Sequence, residues 1–152
     1  MLSVREFQEK FNFPLNKPFK CQDTLATTFL LSTAKRLRVL SETARTLADK
    51  DLRARSTHLI LQELSETLEG MARLDKVETV DGLCDTIYVL LGCACTFDFP
   101  LSEAFNEVQR SNMSKGSSEG DPLHPKGINY FPPNIKKILE DTSRNPDSDC
   151  NL

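Results

Sequence analysis

The chain has 152 residues, 39% of them hydrophobic and 27% charged. That is the composition of one folded domain, not of a disordered or collagen-like segment. Its 19 Lys/Arg against 22 Asp/Glu leave a net charge of −3, which argues against a nucleic-acid or membrane-surface partner held mainly by charge.

The charge is uneven. Residues 1–60 carry 11 Lys/Arg and 6 Asp/Glu, whereas residues 61–152 carry 8 and 16, so acid-based chemistry is expected in the second part. No stretch of about 18 apolar residues stands out as a membrane span. Residues 1–10 carry charges where a secretion signal needs an apolar core. The expectation is a cytoplasmic protein. The five cysteines (Cys21, Cys84, Cys93, Cys95 and Cys150) form no C-x-x-C pair and read as reduced thiols. His58 and His124 are the only histidines, and neither sits in a nucleophile or zinc motif.

Ser3-Val4-Arg5-Glu6 has the form of a capping box and predicts a short helix to about residue 11. Phe13-Pro14 and Lys17-Pro18 mark a loop. Residues 23–48 have a helical pattern with Leu25, Phe29, Leu37, Leu40 and Leu47 among the apolar positions. A second long helix is expected over 52–72, with Leu61, Leu64, Leu68 and Met71 as its core stripe and Gly70 weakening its last turn. A third spans 77–96, with a stripe of Leu83, Ile87, Leu90 and Ala94. Its charge-free run, 86–97, reads as a buried helix. Pro100 opens a fourth long-range helix, with Ser102, Phe105 and Val108, ending near Asn112. Residues 114–133 are rich in Ser, Gly and Pro and read as a functional loop. A short helix follows over 135–140, and 141–152 reads as a polar tail. With no strand pattern and no repeat, the expected architecture is an all-α bundle in one domain, residues 1–140.

Two helices carry clustered acids. Glu63 and Glu66 are three apart; Glu78, Asp81 and Asp85 are spaced by three and four. At about 100° per residue the last three fall within a sector of about 60°. A short connection favours antiparallel packing, which lets the two sets face each other. Crowded carboxylates repel unless a cation lies between them, and hard oxygen ligands suit Mg²⁺ or Mn²⁺. Those ions keep waters and share phosphate oxygens, so a phosphorylated substrate is implied. Acids at helical spacing are usually a solvated face, and Glu63 with Glu66 fits that reading as well as the functional one. Asp85 does not: it is the only charge between Leu83 and Phe97, and its face continues through Tyr88 and Gly92.

These segments carry a resemblance. Leu59-Ile60-Leu61-Gln62-Glu63-Leu64-Ser65-Glu66, then Asp81-Gly82-Leu83-Cys84-Asp85-Thr86-Ile87-Tyr88-Val89, then Ser111-Asn112-Met113-Ser114-Lys115 resemble the all-α NTP pyrophosphatases, the MazG-like superfamily. Within it the sequence is most similar to the phosphoribosyl-ATP pyrophosphohydrolase-like proteins of bacteria and their phages. Lys126-Gly127-Ile128-Asn129-Tyr130-Phe131-Pro132-Pro133 and Val4-Arg5-Glu6-Phe7 add weaker matches. The family signature is E-x-x-E followed on the next helix by E-x-x-D. Glu63 and Glu66 match the first pair. The second pair has two registers: Glu78 with Asp81 fits the letters, while Asp85 fits the Asp that precedes two apolar residues and a Tyr. In that second register the Glu position is Gly82, with Asp81 substituting from one residue earlier. Gln62 stands where many relatives have Glu, which leaves the metal count open.

The resemblance implies a MazG-like, oligomeric helical bundle, homotetramer or homodimer, that binds a nucleoside triphosphate. It implies Mg²⁺-dependent cleavage between the α and β phosphates to the monophosphate and pyrophosphate, with Mn²⁺ as a substitute. Glu63, Glu66 and Asp85 would be catalytic, with Glu78 and Asp81 as further metal ligands. Asn112 and Lys115 would contact phosphate, and Lys126, Asn129 and Tyr130 would cover the substrate from the Gly/Pro-rich loop. A purine deoxynucleotide such as dGTP is one expected substrate. Phosphoribosyl-ATP, dUTP or dCTP are alternatives in the same fold, and a non-catalytic nucleotide-binding module is an alternative of another class.

Overall fold

The computed structural model of the chain describes residues 2–20, 23–116 and 129–144. Among the described residues there are six α-helices and no strand, so the chain is all-α. They are α1 (Leu2–Lys10), α2 (Thr24–Arg45), α3 (Leu52–Arg73), α4 (Lys76–Thr96), α5 (Leu101–Met113) and α6 (Ile135–Arg144). Two compact units result: residues 18–97 hold α2, α3 and α4, and residues 1–17 with 98–152 hold α1, α5 and α6.

In the α2–α4 unit every helix starts on an aspartate. Asp23, Asp51 and Asp75 each accept a backbone N–H of the first turn, a capping bond worth about 1 kcal/mol apiece. Helix α3 is central and packs extensively on both α2 and α4. The α2–α3 seam is polar. Ser65 Oγ donates to the Ala34 carbonyl at 3.1 Å, and Ser41 Oγ lies 2.8 Å from His58 Nδ1 and donates to the His58 carbonyl at 2.9 Å. His58 is therefore a packing residue. Arg38 reaches across to Glu69 at 2.7 Å.

The α3–α4 turn is only Leu74 and Asp75. Leu74 adopts φ 57° and closes α3 with its N–H on the Gly70 and Met71 carbonyls. Gly70, expected from the sequence to weaken the last turn, is also a point of close approach to α4. A Cβ there would lie 2.8 Å from the Thr79 nitrogen. Gly82 does the same from the other side, since its Cβ would meet the Thr67 Cα at 2.9 Å. Thr67 and Thr86 hydroxyls complete the seam at 3.3 Å.

The leucine stripes do not form the core that their spacing predicts. Leu61, Leu64, Leu68 and Met71 are half-buried, and the buried positions of α3 are Ser65, Thr67, Gly70 and Ala72. Close approach through small residues leaves no depth between the helices for large side chains. The charge-free run of α4 is likewise mostly uncovered within the chain: Ile87 is 50% exposed and Leu90 45%, while Ala94 alone of its predicted stripe is buried. By length and composition alone α4 is also apolar enough to cross a membrane, which the sequence reading did not expect. Two of its three acids, Asp81 and Asp85, act on the α3 carboxylate Glu63.

In the second unit, Phe7 stacks on Phe11 (4.7 Å between ring centroids) and on Phe13 (5.9 Å). Lys10 Nζ donates to the Met113 carbonyl, tying α1 to α5. Helix α1 begins at Leu2, so Ser3 lies inside it and does not cap it. The segment before α6 is held by α5. Glu107 accepts the Asn134 N–H at 2.8 Å, Arg110 reaches the Pro132 carbonyl, and Ser114 Oγ accepts the Phe131 N–H. Asn134 in turn caps α6 by accepting the Lys137 N–H. Helix α6 runs to Arg144, four residues past its predicted end.

Candidate functional site

The antiparallel register of α3 and α4 is readable from residue pairs. Gly70 meets Glu78 and Thr79, and Thr67 meets Gly82 and Thr86. One turn further, Glu63 feels Asp81 and Asp85 across the seam. Beyond that, Leu59 meets Tyr88 and Val89 around a shared hollow.

Glu63 is half-buried, and its carboxyl is held above the usual carboxylate range. Burial is the largest cause, followed by the negative charges of Glu66, Asp85 and Asp81. So Glu63, Glu66, Asp81 and Asp85 stand in one electrostatic neighbourhood, as the sequence spacing predicts. Glu78 is not among the charges acting on Glu63. It sits in the first turn of α4 opposite Gly70, where a carboxylate favours the helix N-terminus.

Gly82 is the Glu position of the second reading of the acid pair. Its face is pressed on Thr67, so a side chain at 82 would enter the seam and not the acid cluster. Asp81 and Asp85 are the α4 positions that look onto Glu63. Gln62 donates to Glu66 at 3.3 Å; a neutral amide there spares the cluster a further charge.

Glu63, Glu66, Asp81 and Asp85 have no Lys or Arg ion-pair partner among the described residues. Arg38 of α2 and Arg73 of α3 pair with Glu69, and Arg53 of α3 pairs with Asp51. An acid cluster of this kind fits a hard divalent cation by its donor chemistry. Among the described residues no three acids, histidines or cysteines already converge to ligating distance. Glu66, Asp81 and Asp85 are exposed, and Mg²⁺ takes only one or two carboxylates with waters and phosphate oxygens completing its shell.

The remaining candidates belong to the unit of α1, α5 and α6. Asn112 is half-buried at the end of α5, and its carbonyl accepts the Lys115 N–H. Lys115 Nζ lies 5.7 Å from the centroid of the Phe7 ring, a cation–π contact. Asn129 is exposed and Tyr130 half-buried. Lys126 lies outside the described residues.

The sequence reading missed one feature of the α3–α4 groove. Beside the acids, Leu59, Tyr88, Gly92 and Arg55 line a hollow of about 360 Å³. The continuation of Asp85's face through Tyr88 and Gly92 was the available signal.

A family model described as Phosphoribosyl-ATP pyrophosphohydrolase matches residues 31–112, more than half of the chain and all of α3 and α4. No curated protein and no solved structure matches the chain.

Proposed function

The chain belongs to the phosphoribosyl-ATP pyrophosphohydrolase family, whose reaction is pyrophosphohydrolysis of a nucleotide-like substrate, and from that membership we propose a Mg²⁺-dependent nucleoside triphosphate pyrophosphohydrolase. It cleaves a (d)NTP between the α and β phosphates to (d)NMP and pyrophosphate. The observation that carries this reading is the unneutralised set of Glu63, Glu66, Asp81 and Asp85 facing one another across the α3–α4 seam.

In this reading Glu66, Asp81 and Asp85 hold the metal with Glu63, and Glu78 is an outlying acid. A Mg²⁺ held there would neutralise phosphate charge and lower the pKa of an attacking water. The chain's own residues position. Glycines 70 and 82 let the two helices pack closely, which supports the reading that both acid pairs serve the metal site. The Asp75 cap and the Leu74 turn fix the register in which they do so. A water oxygen bonds to the α phosphorus, the bridging oxygen leaves with the β phosphate, and the water's proton passes to a carboxylate of the cluster. Positioning and charge compensation account for most of the acceleration in such chemistry.

Asn112, Lys115 and Lys126 are the phosphate-contacting residues of this proposal, with Asn129 and Tyr130 on the nucleoside side. The exposed large apolar side chains of α2 and α4, including Phe29 at 66% and Val77 at 76% exposure, support a homo-oligomer, since exposed apolar clusters mark interaction surfaces. A cytoplasmic enzyme of nucleotide metabolism is the setting that fits.

The test mixes the purified protein with each NTP and dNTP and with Mg²⁺ or Mn²⁺, and separates products by ion-exchange chromatography. Monophosphate plus pyrophosphate, lost with EDTA and lost in Asp85→Asn and Glu66→Gln, is the expected result. Full hydrolysis in those variants would remove the site assignment. Turnover of phosphoribosyl-ATP alone would favour the narrower substrate that the family name carries.

A further inference from the structure

The groove between α3 and α4 does not stop at the acids. On α3 the stripe that contains Glu66 runs back through Gln62 and Leu59 to Arg55, at spacings of four, three and four. On α4 the stripe that contains Asp81 runs on through Asp85 and Tyr88 to Gly92, at the same spacings. Because the helices are antiparallel, the two stripes are the two walls of one trough. Each is about 16 Å long at 1.5 Å per residue. One end is anionic; the other is the hollow of about 360 Å³ walled by Leu59, Tyr88 and Gly92 with Arg55 at its rim.

We propose that this hollow receives the base of the nucleotide and that Arg55 determines base specificity, selecting a purine with a carbonyl and a ring nitrogen on one edge, as in guanine. The inference rests on the preceding assignment of the acids to the phosphates. The hollow is within the size range of small-ligand pockets. It starts about 4–5 Å along the helix axis from Asp85, at Tyr88, passes Gly92 about 10 Å from it and reaches Thr96 at about 16 Å. That is the side on which a base must lie if the phosphates sit at the acids. Tyr88 is 77% exposed and offers an aromatic face, on which bases stack without regard to sequence.

Gly92 keeps the trough open, as a Cβ there would meet nothing within 4 Å. Among the described residues Arg55 is the sole cation on the hollow and has no carboxylate partner, unlike Arg53 two positions earlier. A guanidinium is a planar fork of donors with no acceptor. It pairs in bidentate fashion with O6 and N7 of guanine; adenine offers an amino donor in place of O6, so the fork loses one bond there. A phosphate could satisfy Arg55 too, but the α4 wall of the hollow, Tyr88, Val89, Gly92, Cys93 and Thr96, adds an aromatic ring and no second cation, which suits a base.

The test measures binding to the full-length protein with Mg²⁺ by calorimetry. The probes are α,β-methylene analogues of dGTP, dATP, dCTP and dUTP, together with inorganic tripolyphosphate. The wild type should bind the guanine analogue tightest. Arg55→Ala should weaken that analogue by about 10–100-fold and leave tripolyphosphate binding unchanged, which flattens the base preference. Arg55→Lys should recover only part of it, because an ammonium has no fork. Gly92→Leu, which fills the hollow from an open position, should weaken all four nucleotides and spare tripolyphosphate.

A wild type without preference for guanine overturns the proposal. So does an unchanged preference in Arg55→Ala, or unchanged nucleotide binding in Gly92→Leu. If the nucleotides are still cleaved between α and β in those cases, the hydrolase assignment stands and only the base site fails. If neither tripolyphosphate nor any nucleotide binds, both fail together.

Discussion

The closest test of the architecture is a single methyl group at residue 82. Gly82 lies where α4 crosses Thr67 of α3, and a Cβ placed on it would stand 2.6 Å from Thr67 Oγ1, 2.9 Å from its Cα and 3.0 Å from its nitrogen. The hydroxyl could swing aside, but the backbone atoms cannot. Carbon–carbon contacts are optimal at about 3.5–4.0 Å, so the helices must part by several tenths of an ångström. Overpacking of this kind costs about 1–3 kcal/mol, against about 0.8–1.0 kcal/mol gained by exchanging Gly for Ala in a helix. With backbone as the obstacle the cost falls at the upper end, and Gly82→Ala should be destabilised by about 1–2 kcal/mol. For a chain of this length that is a fall in Tm of roughly 2–8 °C.

Gly92→Ala is the matched control. Its added methyl meets nothing within 4 Å, so the helix-propensity gain stands alone and Tm should rise by roughly 2–4 °C. Thermal unfolding followed by circular dichroism reads both. Activity per folded molecule should also fall in Gly82→Ala, since parting the helices there moves Asp81 and Asp85 away from Glu63. A Gly82→Ala protein that melts at or above the wild type would mean that α3 and α4 do not meet at Thr67. The argument that brings the acids face to face would then collapse.

Three further outcomes are expected. Ser41→Ala should lose about 1–3 kcal/mol of stability, read by urea unfolding, because Ser41 is 2% exposed and its hydroxyl serves both His58 Nδ1 and the His58 carbonyl; turnover should not change. Glu107 is held down to about 2 from 4.5, chiefly by the Arg110 guanidinium and then by the Asn134 N–H. A depressed carboxyl stabilises the folded state above its unfolded pKa and loses that contribution as pH falls through the folded one, so the Tm gap between wild type and Glu107→Gln should be constant above about pH 5 and close between pH 4.5 and 2; a gap that widens on acidification would contradict the contact. In sedimentation at micromolar concentration the protein should run as a dimer or tetramer of the 17.1 kDa chain, and Val80→Lys with Ile87→Lys should return it to monomer; a monomeric wild type would mean that the open face of α4 is covered in some other way.

Much of this protein was legible in residue order. The apolar period placed α2, α3 and α4 within three residues of their observed bounds, and Asp23, Asp51 and Asp75 were a further signal that the sequence reading did not use, since a side-chain acceptor there satisfies otherwise orphaned N–H groups. Local rules also placed the acids, since helical spacing alone puts Asp81 and Asp85 on one stripe. The same local rules misjudged the interior. A leucine every three or four residues predicts a deep core only if the facing helix stands far enough away to admit it. Whether it does was decided by Gly70, Gly82 and Thr67, which let the backbones touch and push the leucines to the flanks. Nor does spacing say which neighbour a residue meets across the seam. That Gly82 faces Thr67 while Asp81 faces Glu63, and that Arg55 and Gly92 enclose the far end of the acid groove, depends on the two-residue turn at Leu74 and Asp75 setting the register. Sequence alone determined which residues share a face, through the helix period; the tertiary packing decided which faces meet, through the size of the side chains between them.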